Sequence, residues 1–226
     1  MPSFTARLVE RAALSPRVAR MRFEAHEAFP RSGGQYVTLT SREGAPHAFS
    51  IASPFEPDAP GRFEIAVARG TTAASLLELP LGEELLAHGP SGSLTWRGDA
   101  PALLIATGTG LSPLRAMLLE QLHRDVHEPL VLLFGCRDAT EELWGEELRE
   151  LARRHPRFEL VSTHSQPLPG HTGRVGRVQA LLPALVAQLG PSLLAYLCGH
   201  TPMVKDCTGL LLESGVAASQ IFGESY

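Results

Sequence analysis

The sequence "ALLIATGTGLSPLRAM", residues 102–117, decides the fold of the second half of the chain. It opens with a continuous apolar run that ends in glycine, as is typical of a parallel strand buried on both faces. A helical pattern begins directly afterwards at Ser112, so a strand runs into a helix through a short glycine-containing turn. The stretch therefore predicts one strand–turn–helix unit of an α/β sheet.

Similar units follow this stretch to the end of the chain. The apolar runs "PLVLLFG", "FELVSTH" and "LLAYLCG" each precede a helical pattern, and a short strand, "QIFGE", comes last. Five strands alternating with four helices predict a doubly wound parallel sheet. Ligands of such sheets bind at the carboxyl ends of the strands, where helix N-termini offer free N–H groups.

The first half has a different pattern. Short alternating stretches such as "VARMRFEA", "QYVTLT", "HAFSIAS" and "RFEIAVAR" are separated by glycine and proline, and "TAASLLEL" predicts one short helix. About six such strands predict an antiparallel β-barrel or sandwich. We place the barrel domain at residues 1–97 and the α/β domain at residues 98–226, packed on each other because no long linker separates them.

Composition narrows the class of protein. The chain has 226 residues, 44% of them apolar and 19% charged, with a net charge of −4, which argues against a nucleic-acid surface. Three distant cysteines fit a reducing compartment and neither a disulfide framework nor an iron–sulfur cluster. No signal peptide, membrane span or histidine pair with metal-ligand spacing is evident, so we expect a cytoplasmic protein without a metal site.

Three strand ends are candidate ligand-binding places, at residues 108–110, 135–137 and 198–200, and the first and the last carry candidate motifs. In "ATGTGLSP", Gly108 and Gly110 would let the backbone approach a pyrophosphate, although Pro113 stands where a third glycine is usual. In "YLCGHTPM", Cys198 would place a polarisable sulfur beside a helix N-terminus. An ordinary strand–helix turn and a buried apolar filler are the structural alternatives at these two places.

Six motifs in order resemble the ferredoxin–NADP reductase superfamily: "GQYVTLT", "HAFSIAS", "GTGLSPLRAM", "FGCRD", "YLCGHTPM" and the terminal "GESY". The resemblance covers residues 34–226. It implies a flavin-binding β-barrel, with FAD favoured over FMN, joined to a domain that binds NADP(H) or NAD(H). The flavin and nicotinamide rings would stack in the cleft between the two domains.

By this resemblance "HAFS" occupies the place of an Arg-x-Tyr-Ser flavin motif. Phe49 would lie against the isoalloxazine ring, and Ser50 would lie near flavin N5. His47 replaces the arginine that usually holds the flavin phosphate. Because a histidine cannot offer a bidentate guanidinium fork, we expect weaker or pH-sensitive flavin binding. A plain strand that contains a histidine is the alternative.

The resemblance assigns further residues to each ligand. The flavin would also contact Ser53, Val67, Thr72, Ala74, Ser75 and Tyr226, whereas "GPSG" would form the turn before the last barrel strand. The nicotinamide nucleotide would contact Gly108, Thr109, Gly110, Pro113, Cys198, Gly199 and Met203. For the nucleotide 2′-phosphate, Ser165 is present but Gln166 stands where arginine is frequent, so Arg137 and Arg174 are the candidate cations, and NADP is slightly favoured.

The chain ends on "IFGESY" directly after a predicted strand. The resemblance implies that Glu224 joins Ser50 and Cys198 around the hydride-transfer point, while Tyr226 covers the flavin face that nicotinamide must reach. These four residues are the predicted catalytic set. A frayed tail is the alternative, because chain termini are usually poorly ordered.

The predicted function is that of an NAD(P)H-dependent FAD reductase. Hydride would pass from nicotinamide to the flavin, and electrons would then pass to a ferredoxin, a flavodoxin or a small-molecule acceptor. The sequence itself carries no cysteine cluster, so we expect the acceptor to be another chain or a small molecule. Two alternatives stay open: a reductase that uses free flavin as its substrate, and a non-catalytic subunit or nucleotide sensor.

Overall fold

A computed structural model describes residues 2–41, 44–124 and 126–226, and places their strands in two six-stranded sheets. The first sheet is antiparallel, in the order β4–β3–β6–β1–β2–β5. Its strands are β1 (Ser3–Ala13), β2 (Val18–Ala25), β3 (Tyr36–Thr40), β4 (His47–Ser50), β5 (Arg62–Ala68) and β6 (Glu84–Ser91).

The first sheet closes on itself, which confirms the predicted barrel. Ile51, directly after β4, forms an antiparallel bridge with Ile65 of β5, and the Ala52 N–H donates to the Glu64 carbonyl at 2.7 Å. The alternation of "VARMRFEA" explains the barrel interior, since Met21 and Phe23 are fully buried while their sequence neighbours are less so.

The second sheet is parallel, in the order β10–β9–β8–β7–β11–β12. Its strands are β7 (Ala102–Thr107), β8 (Leu130–Cys136), β9 (Phe158–His164), β10 (Arg174–Val175), β11 (Leu194–Gly199) and β12 (Ile221–Ser225). Its helices are α1 (Leu111–Leu122), α2 (Gly145–Arg154), α3 (Leu182–Leu189) and α4 (Thr201–Glu213). None of the helices in the described residues has the length and hydropathy to cross a membrane.

The apolar run of β7 is buried on both faces of this sheet, as predicted. Leu103 and Ile105 pack with α3 and α4 on one side, whereas Leu104 and Ala106 pack with α1 and α2 on the other. A strand between two helical layers has no solvent-facing side, so its sequence does not alternate.

Two expectations about the elements are corrected. The predicted five-stranded sheet has a sixth strand, β10, whose two residues leave no pattern in the sequence. The "GPSG" stretch does not precede the last barrel strand, because Gly89 and Pro90 lie within β6, which is that strand. The β3–β6 pairing shifts register between Tyr36 and Thr38, and such an irregularity tolerates a proline that has no N–H to donate.

The two sheets are held together by α1. Arg115 is 7% exposed and donates to the Ala52 carbonyl at 2.5 Å, to Glu64 at 3.3 Å and to Glu147 of α2 at 2.7 Å. A side chain at Gly33 would approach the Met117 backbone nitrogen to 2.6 Å, so α1 packs directly on the loop before β3. These contacts fix the end of β4 relative to the carboxyl edge of the second sheet.

Candidate functional site

A cleft of about 1080 Å³ lies between the two sheets. One wall comes from β4, β5 and the 3-10 helix Thr72–Glu78, which replaces the short helix predicted there. The other wall comes from the carboxyl ends of β7, β8, β11 and β12, where ligands of parallel sheets bind. The cleft is the place in which residues of both sheets meet.

All four predicted catalytic residues line this cleft, and three of them come from three different strands. Ser50 ends β4, and Cys198 of β11 is the direct register partner of Glu224 in β12. Cys198 also pairs with Ala106 of β7, at the centre of the sheet. The fold thus brings together residues that are remote along the chain.

Burial raises the pKa of both Cys198 and Glu224. Cys198 is 2% exposed, and burial together with the neighbouring Glu224 raises the pKa of its thiol to about 12. Burial also raises the pKa of Glu224, although a hydrogen bond from the Leu94 backbone acts in the opposite direction. Cys198 is therefore a neutral thiol at neutral pH, able to donate a hydrogen bond.

Tyr226, the fourth predicted catalytic residue, inserts its hydroxyl into the turn after β7. That oxygen accepts from the Gly110 N–H at 2.8 Å and from the Thr109 hydroxyl at 3.0 Å, and it donates to the Thr107 carbonyl at 3.2 Å. Burial raises the pKa of the phenol, so its proton stays in place. The terminal residue is fixed by these contacts and is not frayed.

The turn itself requires glycine. Gly108 has a φ of +54°, and a side chain at Gly110 would meet the Cys198 carbonyl oxygen at 2.2 Å. Gly108 and Thr109 line the cleft. Gly110 and Pro113 do not: they are buried behind the turn, and Pro113 lies in the first turn of α1.

Two buried hydroxyls at this edge have no hydrogen-bond partner within the described part of the chain. They belong to Thr107 and Ser112, which both line the cleft, and Ser112 is 2% exposed. A buried hydroxyl without a partner is costly unless a ligand or water satisfies it. The sequence analysis missed Ser112, although the serine at the start of an anion-binding helix is a recognisable signal.

On the barrel side, His47 and Ser50 face the cleft more than Phe49 does. Phe49 lines the cleft but is only 8% exposed, because most of its ring packs in the barrel core. Tyr36, the register partner of Ser50, is a further aromatic residue of the wall that the sequence analysis did not single out. Tyr36 could have been identified as an aromatic residue on the strand that pairs with β4, the strand that carries Ser50.

Four residues expected at the flavin do not line the cleft. Val67 is 1% exposed and points into the barrel core, because side chains alternate along β5 and those of Ala66 and Ala68 face the cleft. Ser53 is buried, and its hydroxyl accepts from the Glu64 N–H at 3.0 Å. Of the predicted loop residues only Thr72 faces the cleft; Ala74 and Ser75 do not, whereas Thr71 and Ala73 do.

The residues expected at the nicotinamide nucleotide also divide into those that line the cleft and those that do not. Arg137, Ser165 and Met203 line the cleft, whereas Gly199 is buried below its floor. Arg174 lies exposed on the edge strand β10 and is outside the wall. Arg177, which comes after β10, lines the cleft instead and was not anticipated.

The barrel side of the cleft also carries cations. Arg17 and Arg69 line the barrel wall, and Arg17 pairs with Glu141 at 3.3 Å across the cleft. Together with Arg137 and Arg177, they give the cleft positive groups on the barrel wall and on the wall formed by the second sheet. Guanidinium groups suit phosphate, which both dinucleotides carry.

Known proteins resemble this chain along its length. A family model described as the oxidoreductase NAD-binding domain matches residues 104–209. Ferredoxin–NADP reductase B of Sorangium cellulosum (strain So ce56) is 36% identical over 239 residues, which cover 99% of this chain and 97% of that protein. The reductase component DmpP of phenol 2-monooxygenase from Pseudomonas sp. (strain CF600) is 28% identical over 94% of this chain, which spans 62% of that relative.

Solved structures agree with these relatives. The crystal structure of Amycolatopsis cytochrome P450 reductase GcoB superposes with a TM-score of 0.88 and 27% identity, covering 99% of this chain and 69% of that one. The cytochrome b5 reductase domain of Ulva prolifera nitrate reductase, at 21% identity and a TM-score of 0.84, shares the fold over 99% of this chain.

Proposed function

The chain belongs to the ferredoxin–NADP reductase superfamily, and we propose that its cleft holds FAD against the barrel and NADPH against the second sheet. It is an NAD(P)H-dependent flavoprotein reductase. We also propose which residues perform each step, which nucleotide is preferred and which molecule accepts the electrons. The domain boundary at residue 97 is proposed as well. The observation that carries the proposal is that Ser50, Cys198 and Glu224 line one cleft.

The barrel wall fits a flavin dinucleotide. Its cleft surface is formed by small or apolar residues, including Ala66 and Ala68, that leave room for a flat ring, and it carries Arg17 and Arg69 for a pyrophosphate. When bound, the flavin supplies the hydride acceptor and the centre that releases electrons singly. FAD is preferred to FMN because the cleft continues from β4 past the 3-10 helix to the second sheet.

The opposite wall fits a nicotinamide nucleotide. At the turn after β7, the hydroxyls of Thr107 and Ser112 have no partner among the described residues. Each can donate a hydrogen bond to a ligand or accept one from it. The Gly110 N–H, now bonded to Tyr226, is a further donor for a pyrophosphate oxygen. A nucleotide would therefore satisfy hydroxyls that have no partner within residues 2–41, 44–124 and 126–226.

The chain's own groups act mainly by orientation. Ser50 offers a hydroxyl at the end of a fixed strand, and Cys198 offers a neutral thiol from the opposite wall of the cleft. Glu224, held by the Leu94 N–H, offers a carboxyl that can accept from an amide or hydroxyl of a ligand. Rigid donors and acceptors of this kind hold two rings in reacting geometry and exclude water from between them.

The preferred nucleotide in this proposal is NADPH. Arg137, Ser165 and Arg177 lie in the same wall and together present two cations and a hydroxyl. A 2′-phosphate suits this set better than a bare ribose hydroxyl does. Arg177 thus takes the part that the sequence had suggested for Arg174.

The acceptor in this proposal is a ferredoxin or flavodoxin, or otherwise a small molecule. The support is the full-length likeness to a ferredoxin–NADP reductase, together with the oxygenase reductase components among the relatives. The proposal also includes a cytoplasmic location, which the three free cysteines support.

A second function, reduction of free flavin, is favoured by His47. The residue lines the cleft where the family has an arginine, and its ring offers a weaker hold on a phosphate. Arg69 and Arg17, on the same wall, argue for retained FAD.

The flavin absorbance of the purified protein, titrated anaerobically with NADPH and with NADH, tests the proposal. We expect a yellow protein with one flavin per chain, bleached at lower concentrations of NADPH than of NADH. A colourless protein that reduces added flavin would favour the second function. A protein inactive in both assays would contradict catalysis and support a scaffold or nucleotide-sensing subunit.

A further inference from the structure

A thiol, a carboxylate and an imidazole meet at the carboxyl ends of β8 and β9. Cys136 ends β8, His164 ends β9, and the two are direct register partners. Glu142 follows the 3-10 turn Ala139–Glu141 and reaches the same point. One ligand atom from each residue lies within 4.8 Å of the other two.

One pair of ligand atoms in this cluster has a separation close to that found in a tetrahedral metal site. His164 Nε2 lies 3.0 Å from Glu142 Oε1. Two ligand atoms bound to one zinc ion at about 2.0 Å each lie roughly 3.3 Å apart, so this pair needs little movement. Cys136 is half-buried, and its thiol donates only to the Asp138 carbonyl, a weak hydrogen bond at 3.3 Å.

The surroundings also favour a cation. Asp138 and Glu141 belong to the same turn as Glu142, so further acidic residues lie next to the cluster. His164 is 4% exposed, and its Nδ1 has no hydrogen-bond partner among the residues that the structure describes. A buried ring nitrogen with an unused hydrogen-bonding position is an observation that the hydride-transfer site does not explain.

We propose that Cys136, Glu142 and His164 bind a zinc-type divalent cation, with a fourth coordination position open toward the cleft. Sulfur, nitrogen and carboxylate oxygen in one set select zinc over magnesium or calcium, which prefer oxygen alone. On binding, a sulfur–metal bond forms, the thiol proton leaves to solvent, and no redox change occurs. The fourth position takes a water molecule, because Cys136 lines the cleft.

The sequence gives no sign of this site. The three ligands come from two strand ends and a turn, so they show none of the short spacings by which zinc sites are recognised. None of the site's three ligands belongs to the group formed by Ser50, Cys198 and Glu224, although Cys136 and His164 are chain neighbours of Arg137 and Ser165 in the proposed nucleotide wall.

The experiment is a zinc titration of the full chain, as purified with its flavin and after chelator treatment, against a competing zinc indicator. We expect one equivalent of zinc, and X-ray absorption of that zinc should show one sulfur ligand with nitrogen and oxygen completing the shell. Cys136→Ser and His164→Gln should each weaken binding at least tenfold. Cys207→Ala and His123→Gln are the matched controls and should leave it unchanged.

Three results would overturn the proposal: less than one equivalent bound, no sulfur in the zinc shell, or full affinity in both Cys136→Ser and His164→Gln. The X-ray absorption result needs no variant, so it decides the matter even if a substitution prevents folding. Glu142→Gln is a further variant expected to weaken binding. Circular dichroism of each variant verifies that its fold is intact.

Discussion

Cys198 and Glu224 lie side by side on adjacent strands, and burial raises the pKa of both groups. A protein built only for stability would replace the half-buried carboxyl of Glu224, which has no ion-pair partner among the residues that the structure describes. Residues of this kind, held in an unfavourable state by the surrounding fold, are typical of functional sites. At the residue scale, Glu224 therefore lowers the stability of the folded protein at neutral pH, as expected of a group kept for a function.

Replacing Glu224 by Gln should raise stability at neutral pH and lower activity. The folded pKa of Glu224 lies above its unfolded value of 4.5, so its contribution to stability is present below about pH 4.5 and is lost as the pH rises through the folded pKa. Glutamine keeps an acceptor for the Leu94 N–H and avoids that loss. Urea unfolding should show a more stable variant at pH 7 and no difference near pH 4.

The same variant should reduce its flavin about tenfold more slowly, since one charged hydrogen-bond acceptor is lost. Stopped-flow absorbance at saturating NADPH measures this rate. A variant that is both less stable at pH 7 and fully active would contradict the role given to Glu224.

Ser112→Ala should weaken the binding of the nucleotide without destabilising the fold. Its buried hydroxyl has no partner within the described residues, so its removal should leave the free energy of unfolding unchanged or slightly higher. Affinity for NADP⁺ should fall about fivefold, equivalent to about 1 kcal/mol for one hydrogen bond. Calorimetry measures the affinity of Ser112→Ala for NADP⁺, and Ser75→Ala, at an exposed serine, is the control. Unchanged affinity in Ser112→Ala would show that Ser112 does not bind the nucleotide.

At the element scale, the last strand and the first turn of the parallel sheet are joined by Tyr226. Its phenol uses the Gly110 N–H, and its main-chain N–H donates to the Gly199 carbonyl at 3.3 Å. Tyr226, directly after β12, is thus bonded to the turn after β7 and to the end of β11, two places to which a nucleotide would bind. A ligand at the turn after β7 has to displace the phenol.

Tyr226→Phe should therefore bind NADP⁺ more tightly. The ring is kept, but the Gly110 N–H and the Thr109 hydroxyl become free for the ligand. We expect an increase of about fivefold, the equivalent of one neutral hydrogen bond. Difference absorbance of the bound flavin measures it, and Tyr36→Phe, elsewhere in the cleft, is the control. Weaker binding would mean that the phenol itself contacts the nucleotide.

The sequence predicted most elements because their patterns are local. Continuous apolar runs identified β7, β8 and β11, and alternation identified β2 and β5. It failed at β6, where glycine and proline suggested a turn: the register shift that accommodates Pro90 depends on the partner strand β3. It also missed β10, because two residues pair only where β9 offers an edge.

At the scale of the whole molecule, the cleft depends on a buried charge network that joins the two sheets. Arg115 contacts both halves, and its guanidinium lies 4.8 Å from the centre of the Trp144 ring. Its partner Glu64 also pairs with Arg22 at 2.8 Å and Arg20 at 3.5 Å on the barrel strand β2. A displaced α1 would move the turn after β7 away from β4.

Arg115→Met should destabilise the protein by about 3 kcal/mol, because it leaves buried acceptors without their donor. Flavin affinity should fall at the same time, since the two walls are no longer fixed. Urea unfolding measures the first effect and flavin content the second. Arg153→Met, which removes an exposed ion pair, is the control and should cost less than about 1 kcal/mol. An equal cost in both variants would contradict the role of the network.

The sequence could place residues at the right strand ends but could not orient them. The family resemblance grouped Ser50, Cys198 and Glu224, and all three line one cleft. For Cys198 and Glu224 the physical reason is that the carboxyl ends of parallel strands share one edge, whereas Ser50 reaches the cleft from the barrel strand β4. The sequence could not tell that Val67 points into the barrel, that Arg177 replaces Arg174, or that Arg115 links the halves. These facts depend on strand phase and on contacts between distant segments, which leave no short pattern.

The most direct test of the central claim is the anaerobic single-turnover rate of flavin reduction by NADPH in Ser50→Ala and Cys198→Ala. If these two side chains and Glu224 surround one hydride-transfer point, each variant should retain its flavin and reduce it at least tenfold more slowly at saturating nucleotide. Wild-type rates in both variants would contradict the account.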